Sequence, residues 1–215
     1  MSDLKSKIKK LREDFNIHKM DLHNLPAHPI ALFQNWMELA IEKEKEAIAF
    51  VLSTVSKEAI PTSRVLLLRD FNEDGFTFFT NYKSAKSKNI DSNNKVSLNF
   101  FWPHSQRQIR IVGDAAKIPE KESDQYFSSR PRESQLGAWL SEQSKAIDLH
   151  FDFTAEMQKI SSQYEEKAVE RPKYWGGYKV NPLSIEFWQG QPSRLHQRVK
   201  YSICDNKWKI ERLAP

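Results

Sequence analysis

Cysteine is almost absent: the chain of 215 residues has one, Cys204. A lone thiol excludes an internal disulfide framework and a cysteine-rich zinc site, and it fits a reducing compartment, the cytoplasm. Glycine is scarce as well, with six in the whole chain. A glycine-lined phosphate cradle is therefore not expected, and any phosphate has to be held by side chains. No apolar run approaches the roughly 18 residues of a membrane-spanning helix. The first ten residues carry Lys5, Lys7, Lys9 and Lys10 where a secretory leader needs an apolar block, so export is not expected. The metalloprotease HExxH pair, the dinucleotide GxGxxG, the Walker loop and the GxSxG elbow are all missing. The six histidines, at 18, 23, 28, 104, 150 and 196, show no metal-ligand spacing, so no metal site is expected.

What is present describes a globular protein. Lys plus Arg number 33 against 28 Asp plus Glu, a net charge of +5. The pI is about 9.1 and the mean hydropathy −0.67. A modest cationic excess is usually a solvated surface; binding nucleic acid would need the cations on one face. Here the N-terminal lysines read as a mobile arm over residues 1–28, and neither a nucleic-acid nor a membrane partner is expected.

Hydrophobic periodicity divides residues 29–215 into elements of one domain. Pro29 suits a first helical turn, and Ile30, Phe33, Met37, Ala40 and Ile41 form one apolar face up to the charged run 42–46. Strand patterns follow at 47–55, 60–69, 76–80, 95–102, 106–112 and 115–118, with a short polar helix at 84–92. After Pro119 the pattern turns helical at 120–129, 133–140 and 148–166. Strands then return around 185–188, 194–203 and 208–213, the last two joined by an Asp205-Asn206 turn. Short strands linked by tight turns favour an antiparallel barrel over a βαβ fold, giving a mainly β, α+β class with flanking helices.

Three stretches could carry chemistry. In Arg194-Leu195-His196-Gln197-Arg198, strand alternation puts Arg194, His196 and Arg198 on one face, with Glu186 and Trp188 of the preceding strand nearby. Either this is a solvated edge strand, or the cations and the aromatic plate face a flat anionic ligand. In the run Ser128 to Ser134, Pro131 pushes Arg130 out of helical geometry and can itself begin a helix. Arg130 and Ser134 then stand beside free N–H groups, with Tyr126 one turn back; the choice is between a helix cap with solvated arginines and a phosphate site. In Arg64 to Arg69, the apolar residues Val65, Leu66, Leu67 and Leu68 read as a buried strand flanked by arginines. A separation of five puts the two arginines on opposite faces, so they serve two ligands or a bulge intervenes.

Together these residues resemble the pyridoxine/pyridoxamine 5′-phosphate oxidase family. The resemblance runs from Asn24-Leu25-Pro26 to the C-terminal Ala214-Pro215. Its most specific parts are residues 130–139 (RPRESQLGAW), Tyr174-Trp175-Gly176-Gly177, 185–189 (IEFWQ) and 194–198 (RLHQR). It implies a homodimeric split β-barrel that binds FMN. The implied reaction passes a hydride from C4′ of pyridoxine or pyridoxamine 5′-phosphate to flavin N5, giving pyridoxal 5′-phosphate. Dioxygen reoxidises the flavin to yield hydrogen peroxide, and the amine substrate also releases ammonia. By the same resemblance, the segment Arg64, Val65, Leu66, Leu67, Leu68, Arg69 runs along the flavin. Phe79, Thr80, Lys86, Gln108, Gln143, Ser144, Trp188 and Arg198 are further flavin contacts. Arg69, Tyr126, Arg130 and Ser134 clamp the substrate phosphate; Arg194, Leu195 and His196 lie over its ring, with Arg194 and His196 the catalytic pair. Arg12 resembles an N-terminal lid residue.

The chain departs from the family pattern at several positions. Arg69 stands where Lys is common, and a guanidinium fork is not interchangeable with an ammonium. Ala85 replaces a frequent Arg near the flavin phosphate, Phe15 and Phe79 replace tyrosines, and Gln197 stands where Asp, Asn or Glu is usual. The competing readings are a flavin or pyridoxal-phosphate binder without turnover, and nucleic-acid binding through the N-terminus.

Overall fold

The computed structural model describes residues 2–11 and 15–215. Its α-helices are α1 (Ser2–Lys10), α2 (Pro29–Lys43), α3 (Ala85–Ser92), α4 (Glu120–Ser129), α5 (Arg132–Leu140) and α6 (Phe153–Gln163). The strands are β1 (Ala49–Val55), β2 (Pro61–Leu67), β3 (Asp70–Asn72), β4 (Gly75–Asn81), β5 (Lys95–Trp102), β6 (Arg107–Lys117), β7 (Trp175–Gln189), β8 (Gln197–Cys204) and β9 (Lys207–Leu213). Hydrogen bonding orders them β2-β1-β5-β6-β7-β4-β3, with β8 also on β7 and β9 on β8. The mainly β class with flanking helices is as expected. Among the described residues no helix is long and apolar enough to cross a membrane.

The chain forms two compact units: Met1–Ile48, Asn99–Ile111 and Ser184–Pro215 make unit 1; Ala49–Leu98 and Val112–Leu183 make unit 2. In unit 1, α2 starts at Pro29 with His28 Nδ1 accepting from the Ile30 N–H at 3.3 Å. Its apolar face buries Phe33, Trp36 and Met37, with Trp36 edge-on to Phe187 at 5.3 Å and Phe33 edge-on to Phe100 at 5.5 Å. The β8–β9 hairpin turns at Asp205 and Asn206, both at positive φ, as the Asp-Asn pair suggests. Glu44, just past α2, is buried; its carboxylate accepts from the Ser105 N–H at 2.7 Å, the Ser105 hydroxyl at 2.8 Å and the His104 N–H at 3.3 Å.

In unit 2, β1 alternates buried and half-buried residues, and β4 is buried nearly throughout. The pairing of β4 with β7 runs from Phe76↔Val180 to Asn81↔Trp175. Gly75 starts β4 at φ +149°, where a Cβ would fall 2.2 Å from the Val180 carbonyl oxygen. Only glycine combines that backbone with that approach.

Several elements differ from the sequence reading. The strand expected over 60–69 is two strands, because the chain leaves its partner β1 after Leu67 and joins β4 through β3; the Arg69 N–H already donates to the Thr77 carbonyl at 2.9 Å. The four apolar residues there are not a buried strand. β2 ends the strand order, so Val65 is 64% exposed, Leu66 and Leu67 are half-buried, and Leu68 alone enters the core. Strands expected at 106–112 and 115–118 fuse into β6, because Gly113 lets the Asn181 carbonyl approach where a side chain would block it. The helix expected over 148–166 is shorter, starting behind Asp152, whose carboxylate accepts from the Thr154 and Ala155 N–H groups. The first ten residues of β7 were not anticipated, since the strand expected there covered only 185–188. Two glycines in it serve packing: a Cβ would meet Tyr82 at Gly176 and Ile118 at Gly177.

Candidate active site

Unit 2 gathers one group of the expected residues. Leu66, Arg69, Phe79, Thr80, Tyr126, Arg130, Ser134 and Gln143 all line a cavity of about 390 Å³. β4 supplies Phe79 and Thr80, α4 supplies Tyr126, and the α4–α5 junction supplies Arg130 and, one turn on, Ser134. Arg130 is extended, at φ −73° and ψ 151°, as the following Pro131 requires. Pro131 is the N-cap of α5 and provides no side-chain cap, so the helix presents its first N–H groups beside Arg130 and Ser134.

One polar group of this cavity is left unsatisfied. Arg130 Nη1 is buried with no hydrogen-bond partner among the described residues. Its guanidinium lies over the Trp175 ring at 4.5 Å, and burial lowers its pKa, with Arg69 adding repulsion. An orphaned buried donor of this kind calls for an anionic acceptor. Phe79 stacks on Tyr126 with centroids 3.8 Å apart, and Tyr126 is parallel to Trp175. The tyrosine hydroxyl that the family pattern has at position 79 is absent here, and Phe79 contributes its ring alone.

Lys86 makes a second cationic centre in the same unit. Its Nζ donates to Gln143 Oε1 at 2.7 Å and to Thr80 Oγ1 and Ser84 Oγ at 3.1 Å each. Among the described residues these neutral oxygens are its only hydrogen-bond partners, and no carboxylate pairs with it. Burial, with repulsion from Arg64, pulls its pKa down to about 8. Arg64 is satisfied by Leu52, Thr54 and Thr62, its Nη2 donating to Thr62 Oγ1 at 2.6 Å. Ser144, at φ 74°, accepts from the Ala85 N–H at 3.3 Å, so the main chain at Ala85 reaches this site although its side chain cannot. Val65, Leu67 and Leu68 do not line the cavity.

Unit 1 gathers the rest. Trp188 and His196 rings meet at 4.6 Å. Arg198 stands opposite Trp188 in the β7–β8 register, and its Nε donates to Glu186 Oε1 at 2.9 Å. Arg110 holds the other Glu186 oxygen, and the two arginines keep that buried carboxyl below its ordinary range. Gln108 donates to Asn99 at 2.8 Å. The expected strand over 194–203 begins only at Gln197. Pro192–Arg194 is a 3₁₀ turn with Ser193 and Arg194 at positive φ, so the alternation expected for Arg194, His196 and Arg198 does not apply. Arg194 and Leu195 are exposed on this turn. Arg12 lies outside the described residues.

The sequence reading assigned no role to three site neighbours: Trp175 beneath Arg130, and Glu186 and Arg110 behind Arg198. Trp175 and Glu186 sit inside the stretches already singled out, beside aromatic and arginine residues. Arg110 offered no signal, because its partner is 76 positions away.

Buried cations with hydroxyl and amide partners, set beside stacked aromatic rings on an antiparallel β fold, suit flat phosphorylated ligands; that is the class to which this architecture points. Within it the chain belongs to the pyridoxine/pyridoxamine 5′-phosphate oxidase family. Residues 37–173 match the family described as pyridoxamine 5′-phosphate oxidase, and residues 175–215 match the pyridoxine 5′-phosphate oxidase C-terminal dimerisation region. The pyridoxine/pyridoxamine 5′-phosphate oxidase of a Cyanothece species is 42% identical, covering 97% of this chain and 98% of its own length. That of Haemophilus influenzae is 43% identical, covering 95% and 98%. Among solved structures, PhzG from Burkholderia lata, in complex with tetrahydrophenazine-1-carboxylic acid, superposes with a TM-score of 0.85 at 25% identity, covering 94% of this chain and all of its own. The expected split-barrel class agrees with that match.

Proposed function

We propose that this chain is an FMN-dependent oxidase converting pyridoxine or pyridoxamine 5′-phosphate to pyridoxal 5′-phosphate. Dioxygen is the acceptor, hydrogen peroxide the by-product, and ammonia is released from the amine. It works as a homodimer in the cytoplasm. The observation that carries the reading is the pair of cationic centres in unit 2, one on Lys86 and one on Arg130, each lacking an anionic partner among the described residues. Two phosphorylated molecules, cofactor and substrate, account for both.

Lys86 fits a flavin phosphate, since among the described residues its charge is met only by neutral oxygens of Thr80, Ser84 and Gln143. Arg64 lowers the Lys86 pKa from close by and adds to the positive potential there. Arg130 and Arg69, with the hydroxyls of Tyr126 and Ser134, fit the substrate phosphate at the start of α5. By the family pattern, Arg194 and His196 of unit 1 would position the substrate ring, and Trp188 and Arg198 would contact the flavin. When bound, FMN supplies the hydride acceptor that no protein side chain provides. The protein's own contribution is to hold, orient and polarise.

The test is the purified chain reconstituted with FMN and given pyridoxine 5′-phosphate in air. Pyridoxal 5′-phosphate absorbance and peroxide are expected to rise together, and the flavin band to bleach when oxygen is removed. Tight flavin binding with no bleaching would replace this reading with that of a non-catalytic flavin carrier.

A further inference from the structure

Unit 1 holds a clasp made of three glutamines. The side chains of Gln106, Gln191 and Gln197 all direct their amides at the main chain of residues 16–20. Gln106 Oε1 accepts from the Asn16 N–H at 2.9 Å and the Ile17 N–H at 3.2 Å. Gln191 Nε2 donates to the His18 and Gly190 carbonyls. Gln197 Oε1 accepts from the Met20 N–H at 2.7 Å while its Nε2 donates to the Met20 carbonyl at 3.1 Å. Phe15, at the head of this stretch, lies edge-on to Trp188 and to His196, each at 5.7 Å. It packs where a side chain at 190 would collide, since a Cβ on Gly190 would fall 2.8 Å from Phe15. The unusual glutamine at 197 thereby has a use, because an aspartate there could not both donate and accept.

The clasp closes on His196. The Gln191 main-chain N–H donates to His196 Nδ1 at 3.1 Å. In a neutral imidazole the nitrogen that accepts carries no proton, so the proton sits on Nε2. Burial and the neighbouring Arg194 both lower the His196 pKa and favour that neutral ring.

We propose that Gln191 is a positioning residue for His196: its N–H sets the Nε2–H tautomer, and its carboxamide, anchored on His18, holds that N–H in place. Gln197 is the second arm of the same clasp. His196 thus offers a hydrogen-bond donor through Nε2 and has no free basic nitrogen. The inference rests on the functional reading only for what this donor faces, an acceptor atom on the substrate ring.

The experiment is a long-range ¹H–¹⁵N histidine spectrum of the FMN-loaded, ¹⁵N-labelled protein at neutral pH, with His196 assigned by its loss in His196→Asn. The wild type is expected to show the Nε2-protonated tautomer alone. In Gln191→Leu a second tautomer or exchange broadening is expected, with kcat/KM about tenfold lower, equivalent to the loss of one ordinary hydrogen bond, and flavin content unchanged. Gln197→Leu, which breaks the other arm, is expected to broaden the same signals and decides the matter if Gln191→Leu does not fold. A wild-type Nδ1–H tautomer, or unaltered His196 signals in the variants, overturns the proposal. The spectrum is read without substrate, so a failed oxidase assay beside the Nε2–H tautomer supports the assignment and counts only against the functional reading.

Discussion

Lys86 and Arg130 are cations that folding has taken from water with no carboxylate partner among the described residues. For Lys86 the sign follows from its lowered pKa of about 8, against 10.5 when exposed. Below about 8 the ammonium is present and attracts a phosphate; above it the charge, and part of the affinity, is lost. FMN affinity of the apo-protein, measured by flavin fluorescence quenching, is expected to fall as pH rises through about 8, and Lys86→Met to flatten that profile at low affinity. Without ligand the same shift makes the apo-protein more stable as pH climbs from about 8 toward 10.5, because the unfolded chain then binds more protons. Arg130→Ala removes charged hydrogen bonds of about 1.5–3 kcal/mol, so the substrate KM should rise about 10- to 100-fold while flavin content stays. Equal loss of both would refute two separate phosphate sites. Arg130 was legible because Pro131 dictates its backbone. Trp175 beneath it was not, because Arg130 and Trp175 lie far apart in sequence and meet only when α4 packs against β7.

At the scale of elements, tight junctions set the geometry. Glu44 ties the end of α2 to the 104–105 turn through its carboxylate hydrogen bonds, which outweigh the opposing effect of burial and hold its pKa below 4.5. Its contribution is complete above 4.5 and disappears as pH falls through the lower folded value. Glu44→Gln is therefore expected to lower stability by about 2 kcal/mol at neutral pH and to flatten the acid limb of a urea-denaturation series. Gly75→Ala combines positive φ with a backbone collision at Val180 and should cost at least as much; equal Tm values for variant and wild type would show that the β3–β4 turn yields. Helix limits were readable where proline marks them, as at Pro29 and Pro119, whereas the Asp152 cap of α6 went unread and the helix was expected from 148. The switch of strand partner after Leu67 was not readable, because Val65 to Leu68 suit an edge strand and a central strand equally well by composition.

At the scale of the molecule, the C-terminal 175–215 match to a dimerisation region leads to an expected solution mass of twice the 25.2 kDa chain. Light scattering on the FMN-loaded protein checks this; a monomer at micromolar concentration would contradict the proposed assembly. β2 leaves Val65 well exposed, as is Ile60 just before it, and an edge strand with apolar exposure of this kind is a surface that native proteins usually cover.

By itself the sequence determined the class of chemistry: few glycines and one cysteine leave phosphate binding to side chains, and Pro131, Pro29 and the Asp205-Asn206 pair impose their local backbone wherever they occur. Tertiary structure decided which cations have no carboxylate partner among the described residues and what each side chain meets. Arg64 is satisfied by Thr54 and Thr62, Lys86 is left with neutral oxygens, and Arg194 sits on a 3₁₀ turn instead of a strand. Those outcomes depend on partners tens of residues away, and local propensity carries no information about which of them arrives.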